Sequence, residues 1–174
     1  MTTTNTMRIY VACLASYNSG RLHGAWIDLE GKDGDDIQTE VDAMLAKSPT
    51  ADAEEWAIHD YEGFGPYKLS ESASFDDIAE LVEAVDEHGE AVLAYMANNC
   101  GELSDFSDAY AGEFSSVEDY AQDLVEDCYS DSLKSLPDFI RFNIDWKGIA
   151  HDMEVGGDIW TADAPGGVYI FRNV

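Results

Sequence analysis

Basic residues are scarce in this 174-residue chain: nine Lys and Arg stand against 36 Asp and Glu, for a formal net charge of −27. A chain of that sign repels nucleic acid and anionic lipid and is drawn to basic surfaces, which excludes direct DNA binding and membrane association. Long apolar runs are also lacking, and nothing approaches the ~20 residues a spanning helix needs. The polar stretch Met1 to Thr6 has neither the basic nor the apolar region of a secretory signal, so a cytoplasmic chain is expected. Cysteine is sparse and scattered: Cys13, Cys100 and Cys128 form no CxxC pair. That excludes a disulfide framework or a thiolate zinc site, and each is read as a small buried apolar residue.

Signatures of catalysis are missing as well. Of His23, His59, His88 and His151, none belongs to an HExxH or other close pair. His59-Asp60 and His151-Asp152 are adjacent, and neighbours on a strand point to opposite faces, which argues against a dyad. Gly31-Lys32-Asp33-Gly34 lacks the spacing of a P-loop, and no GxGxxG or GxSxG occurs. Asp33, Asp35, Asp36 and Glu40 lack the ligand order of an EF-hand loop. A glycosidase-like carboxylate pair carries no signal where 36 acids allow almost any pairing. No catalytic residue, metal site or cofactor is therefore expected.

What is present is enough to fold. Hydrophobic residues make up 45% of the chain, with four Trp, nine Tyr and seven Phe, so disorder is rejected despite the charge. The pattern predicts an α+β protein, an elongated chain of small lobes. Residues 1–65 form an α/β lobe, 66–112 an acidic helical lobe, and 113–174 a C-terminal α/β lobe. In the first, Arg8 to Ala15 and Arg21 to Leu29 read as two strands of a hairpin around a Tyr17-to-Gly20 turn. Asp35 to Ala46 has helical spacing, Glu54 to Tyr61 reads as a third strand, and Gly63, Gly65 and Pro66 mark the break. In the last, Phe139, Ile140 and Phe142 are expected to supply core, Asp145 to Met153 a helix, and Asp158 to Thr161 with Val168 to Arg172 a hairpin.

The charge is concentrated. Between Lys68 and Lys134 lie 65 residues with 18 acids and no Lys or Arg, and His88 is the one side chain there able to become cationic. The acids begin with Glu71, and the remaining seventeen are the candidate functional carboxylates: Asp76, Asp77, Glu80, Glu83, Asp86, Glu87, Glu90, Glu102, Asp105, Asp108, Glu113, Glu118, Asp119, Asp123, Glu126, Asp127 and Asp131. The segment is nonetheless patterned. Ser74 followed by Asp77 resembles a capping box, and Phe75, Ile78, Leu81, Val82 and Val85 then recur at helical spacing up to His88-Gly89. Ala91 to Asn98 reads as a short apolar helix. A further helix starts at Ser116, with Val117, Tyr120, Ala121, Leu124 and Cys128 inward and carboxylates outward.

Magnitudes connect this array to a known polyanion. Duplex DNA carries one charge per ~1.7 Å of axis, so 27 charges correspond to roughly 46 Å, or about 13–14 base pairs. A helix rises ~1.5 Å per residue, so a carboxylate every third or fourth position gives a row spaced ~5 Å, and two such rows approach duplex charge density.

Several stretches resemble the ArdA antirestriction proteins. They are Arg8-Ile-Tyr-Val-Ala-Cys-Leu-Ala-Ser-Tyr-Asn-Ser-Gly20, Leu22-His-Gly-Ala-Trp-Ile-Asp28 and Glu55-Trp-Ala-Ile-His-Asp-Tyr-Glu-Gly-Phe-Gly65. Near the other end stand Phe142-Asn-Ile-Asp-Trp-Lys-Gly-Ile-Ala-His-Asp-Met-Glu154 and Gly166-Gly-Val-Tyr-Ile-Phe-Arg-Asn173. The resemblance implies a DNA mimic, carried by a mobile element, that inhibits type I restriction–modification enzymes. It would occupy the DNA-binding groove of their specificity and methyltransferase subunits, blocking restriction and modification. It also implies three small lobes and a homodimer; twice the charge matches roughly 27 base pairs, or ~92 Å of duplex. Phe106, Tyr110 and Phe114, spaced by four, are the candidate dimer contact, with a small helical core as the alternative. Two other readings of the acidity compete: adaptation to a salty cytoplasm, and a general acidic module for another basic protein. An enzyme ranks third.

Overall fold

The computed structural model describes residues 6–98 and 101–174; the polar start at Met1–Asn5 and Cys100 lie outside the described residues. The chain is α+β and divides into two compact units, Met1–Asn98 and Asn99–Val174.

In the first unit β1 (Arg8–Cys13) leads into α1 (Leu14–Asn18), followed by β2 (Gly24–Asp28), α2 (Gly34–Leu45) and β3 (Trp56–Glu62). α3 (Phe75–His88) and α4 (Ala91–Ala97) complete it. The three strands form an antiparallel sheet in the order β2-β1-β3, with Tyr10 opposite Trp26. Where a tight turn is expected after β1, Leu14–Asn18 instead makes a helical turn. The reason is local: Cys13 and Ser16 are buried, and the Ser16 N–H donates to Cys13 Sγ at 3.5 Å, so the chain coils inward before returning as β2. One sheet face carries Ile9, Val11, Ile27 and Ile58, and α2 packs on β1 and β2 through Ile37 and Val41. Each such side chain contributes about 1.5–3 kcal/mol on burial.

α3 belongs to this same core. It packs on α2 and α4, and the Phe75 ring at its start stacks on Trp56 of β3 with centroids 4.3 Å apart. Its inward residues Phe75, Ile78, Leu81 and Val82 are those the periodicity selects. Gly89, at φ +78, ends it in a conformation that costs glycine little. Ser74 occupies the N-cap position, but its side chain makes no capping hydrogen bond, so the expected box is absent.

The second unit begins with a 3-10 turn at Leu103–Asp105, then α5 (Phe106–Ala109), β4 (Tyr110–Phe114) and α6 (Val117–Cys128). α7 (Ser130–Ser135), α8 (Asp138–Arg141) and α9 (Trp146–Gly156) lead to the hairpin β5 (Ile159–Ala164) and β6 (Gly167–Arg172). The sheet order is β4-β6-β5, all antiparallel. α6 packs on α9 and the sheet, so that Tyr120, Ile159 and Ile170 form a buried cluster with Phe114, Val117, Leu124 and Met153 around it.

Strand β4 is invisible to a helical reading of Phe106, Tyr110 and Phe114. Pairing with β6 ends the helix at Ala109, and a bulge between Tyr110 and Gly112, with Gly112 at φ +130, shifts the register. Tyr110 consequently lies beside Phe171, while Phe114 meets Tyr120 on the Ile170 side. Successive residues of β6 point to opposite faces, so the two aromatics do too.

Two expectations about the core are corrected. Phe139, Ile140 and Phe142 are exposed: α8 is a single turn between loops and offers no second layer to cover them. Cys128 is exposed as well, because it closes α6 beyond the residues that reach α9 and the sheet; Cys13 is buried as expected.

Candidate functional site

The acids are placed at the surface almost without exception. Of the 36 Asp and Glu residues, all but the half-buried Asp105 are exposed. The apolar stripes decide this. With Ile78, Leu81 and Val82 inward on α3, the positions between them must face water, and these are Asp76, Asp77, Glu80, Glu83, Asp86 and Glu87. On α6, burial of Tyr120 and Ala121 turns Glu118, Asp119, Asp123, Glu126 and Asp127 outward. That helix starts firmly, since the Asp119 N–H donates to the Ser116 hydroxyl at 3.1 Å. Asp76, Asp77, Glu118 and Asp119 sit in first turns, where the helix dipole favours negative charge. Glu90 and Glu102 are exposed at N-cap positions, Asp108 on α5, Glu113 on strand β4 and Asp131 on α7.

Neutralisation by cations is correspondingly thin. Among the described residues, ion pairs with Arg or Lys join Arg8 to Glu62, Lys32 to Glu40 and Arg141 to Asp138. None includes an acid between Lys68 and Lys134. Some candidate carboxylates also hold local structure: Asp105 accepts the Glu102 N–H at 3.2 Å, Glu126 accepts from the Gln122 amide at 2.8 Å, and Glu113 accepts the Gly166 N–H at 2.8 Å.

The candidate residues fall in both units. In the first, a cleft of about 570 Å³ is lined by the α3 carboxylates Asp76, Glu80, Glu83 and Asp86 together with Asp33. Asp33, outside the candidate set, caps α2 by accepting the Asp36 N–H at 2.8 Å. Its neighbours Asp35 and Asp36 are exposed, as are Asp28, Glu30 and Asp60. The acidic surface therefore extends beyond the segment that the missing cations single out. Their signal in the sequence was masked by Lys32, Lys47 and Lys68 nearby.

The aromatic candidates have partners inside their own unit. Phe106 is buried and stacks on Tyr110 at 5.0 Å, and both rings meet Phe171. Phe114 is half-buried against Tyr120 at 5.1 Å. Burial raises the Tyr110 phenol above its ordinary pKa, and Glu113 adds to the shift. Burial likewise raises Tyr120, with Arg172 opposing it.

No histidine–acid dyad is assembled from the adjacent pairs: His59 lies edge-on to Tyr17 at 4.8 Å, and His151 is exposed on α9. Burial pushes the Cys13 thiol up, but hydrogen bonds from Ser48, Ser16 and Ala15 outweigh it and hold the thiol below its ordinary pKa. Among the described residues no group of three or more His, Cys, Asp or Glu could hold a metal ion, and no helix is long and apolar enough to cross a membrane.

Among curated proteins none matches the chain. A family model, that of the antirestriction protein ArdA, matches residues 9–166, from the first strand to the turn before the last. The match takes in the first sheet, strands β4 and β5 of the second, all the helices named above and every candidate carboxylate, stopping just before β6, and the chain belongs to the ArdA antirestriction family.

Proposed function

We propose that this protein inhibits type I restriction–modification enzymes in the cytoplasm by standing in for DNA. Its carboxylates occupy the Lys- and Arg-lined groove of the specificity and methyltransferase subunits, as a homodimer and without catalysis. The observation that carries this reading is the exposure of 35 of 36 acids, with no cation across residues 69–133. Groove cations that normally displace counterions from phosphates meet fixed carboxylates instead, so association is steered by charge and weakens with salt. Because the interaction is distributed, no single carboxylate is indispensable, and restriction and modification are blocked together.

The test is competition. A type I methyltransferase core is bound to a labelled target duplex and this protein is titrated in at low and moderate salt. Displacement near stoichiometric amounts, weakening as salt rises, is expected. Absence of displacement by a folded sample at either salt would overturn the reading.

A further inference from the structure

The core of the second unit is not fully closed over. Between α6, α9 and the sheet an open cleft of about 580 Å³ remains, and it reaches the buried Tyr120 and Ile159. Ala111, Phe114, Leu124 and Met153 line it; each packs against that core yet is only half-buried. The exposed carboxylates of Asp123, Asp127 and Asp158 line the same cleft, against one cation, Arg172. Asp123 and Asp127 are four residues apart on α6, which sets them about 6 Å apart along its axis. An apolar hollow is thus bordered by fixed anions.

We infer that this cleft receives an apolar side chain of the inhibited enzyme, one that stands beside Lys or Arg in its DNA-binding groove. The contact rests on the proposed function and adds to it what charge alone does not supply. Duplex DNA offers a protein more than phosphates. Between its two charged strands lie base edges, which proteins touch with apolar side chains or wedge apart with them. A substitute made of carboxylates alone would leave such a side chain in water or pressed against anions. Here the carboxylates border a hollow of matching character. Cations of the enzyme meet Asp123, Asp127 and Asp158, while the apolar side chain between them enters among Phe114, Leu124 and Met153. Charge selects this occupant. A chain of −27 repels an anionic ligand, and a purely apolar segment gains nothing from three carboxylates. A segment that mixes apolar and basic residues uses both.

The test runs the competition between the full chain and a labelled duplex for a type I methyltransferase core across a salt series. Ala111→Trp fills the cleft without changing charge. It should weaken displacement about 10-fold, by the same factor at low and moderate salt, because salt does not screen the loss of an apolar contact. Asp123→Asn/Asp127→Asn should weaken displacement too, by a factor that shrinks as salt rises. Val155→Trp, exposed on α9 and outside the cleft lining, should displace like the wild type. Circular dichroism establishes that each variant is folded. Should Ala111→Trp fail that check, Met153→Gln keeps the size of a lining side chain, removes its apolar character and should show the same salt-independent deficit. A folded variant of either kind that displaces like the wild type, or whose deficit fades with salt, overturns the inference and leaves DNA mimicry standing. A deficit accompanied by a lower mass in sedimentation velocity assigns the cleft to contact between copies and overturns it as well. Failure of the wild type itself to displace duplex is the separate result that removes the functional reading, and this contact with it.

Discussion

The Glu113 carboxylate accepts a hydrogen bond from the backbone N–H of Gly166 at 2.8 Å, fastening β4 to the turn between β5 and β6. One member of the acid array therefore serves the fold directly. Glu113→Ala should lower the melting temperature by a few degrees, since a bond of this kind is worth about 1 kcal/mol. Glu113→Gln keeps an acceptor oxygen and should melt near the wild type. Equal melting of all three proteins would show that the bond contributes nothing.

The carboxylates of α3 should act by number rather than by identity. Each of Asp76→Asn, Glu80→Gln, Glu83→Gln and Glu87→Gln alone should weaken displacement of duplex by no more than about fivefold, the scale of an exposed charge pair. All four together should weaken it by roughly 10- to 100-fold and flatten the salt dependence. The competition titration reads both quantities. Complete loss of displacement from one of these substitutions, in a folded protein, would contradict a distributed mimic.

Alkaline pH should destabilise the second unit. Burial holds the Tyr110 and Tyr120 phenols above their ordinary pKa. Both groups are protonated in the folded and unfolded chain below about pH 10 and contribute no pH dependence there. Above that, the unfolded chain loses these protons first, so stability falls as pH rises toward the folded-state values. Urea midpoints measured from neutral pH to about pH 11 should fall over the last unit, and Tyr120→Phe should lessen the fall.

Gly167 should tolerate no side chain. Its φ is +152, and a Cβ there would lie 2.2 Å from the Phe114 carbonyl oxygen, which is backbone and unable to give way without moving β4. Gly167→Ala should cost about 1–3 kcal/mol or more in urea denaturation. Gly20, at φ +72 with nothing within 4 Å of the same position, provides the contrast: its Ala variant meets only the left-handed backbone cost of about 1 kcal/mol. Similar losses at both sites would show that the close approach at Gly167 is relieved cheaply.

Much of this architecture is legible because it depends on periodicity. Ile78, Leu81 and Val82 of α3, and Tyr120, Ala121 and Leu124 of α6, repeat at helical spacing, and burying them forces the intervening acids outward. Gly89 stops α3 where the sequence reads a stop. The misses are features that depend on distant partners. Strand β4 exists because β6 pairs with it, and no local pattern in Tyr110-Ala-Gly-Glu-Phe114 announces that. Phe139, Ile140 and Phe142 have core composition, but whether a second layer covers them is decided by tertiary structure. The carboxylates at Asp28, Glu30, Asp33, Asp35 and Asp36 share the exposure of the candidate set. Nearby lysines hide them from a criterion based on missing cations.

The cation-free stretch from residue 69 to 133 places this protein in an unusual relation to its solvent. Each of its two folded units is closed by a small apolar core against the repulsion of its own carboxylates, and dissolved ions screen that repulsion beyond about 10 Å at 0.1 M. The same ions compete for any cationic groove the carboxylates engage. On the proposed function, ionic strength thus pulls in two directions, supporting the fold while weakening the contact with the groove.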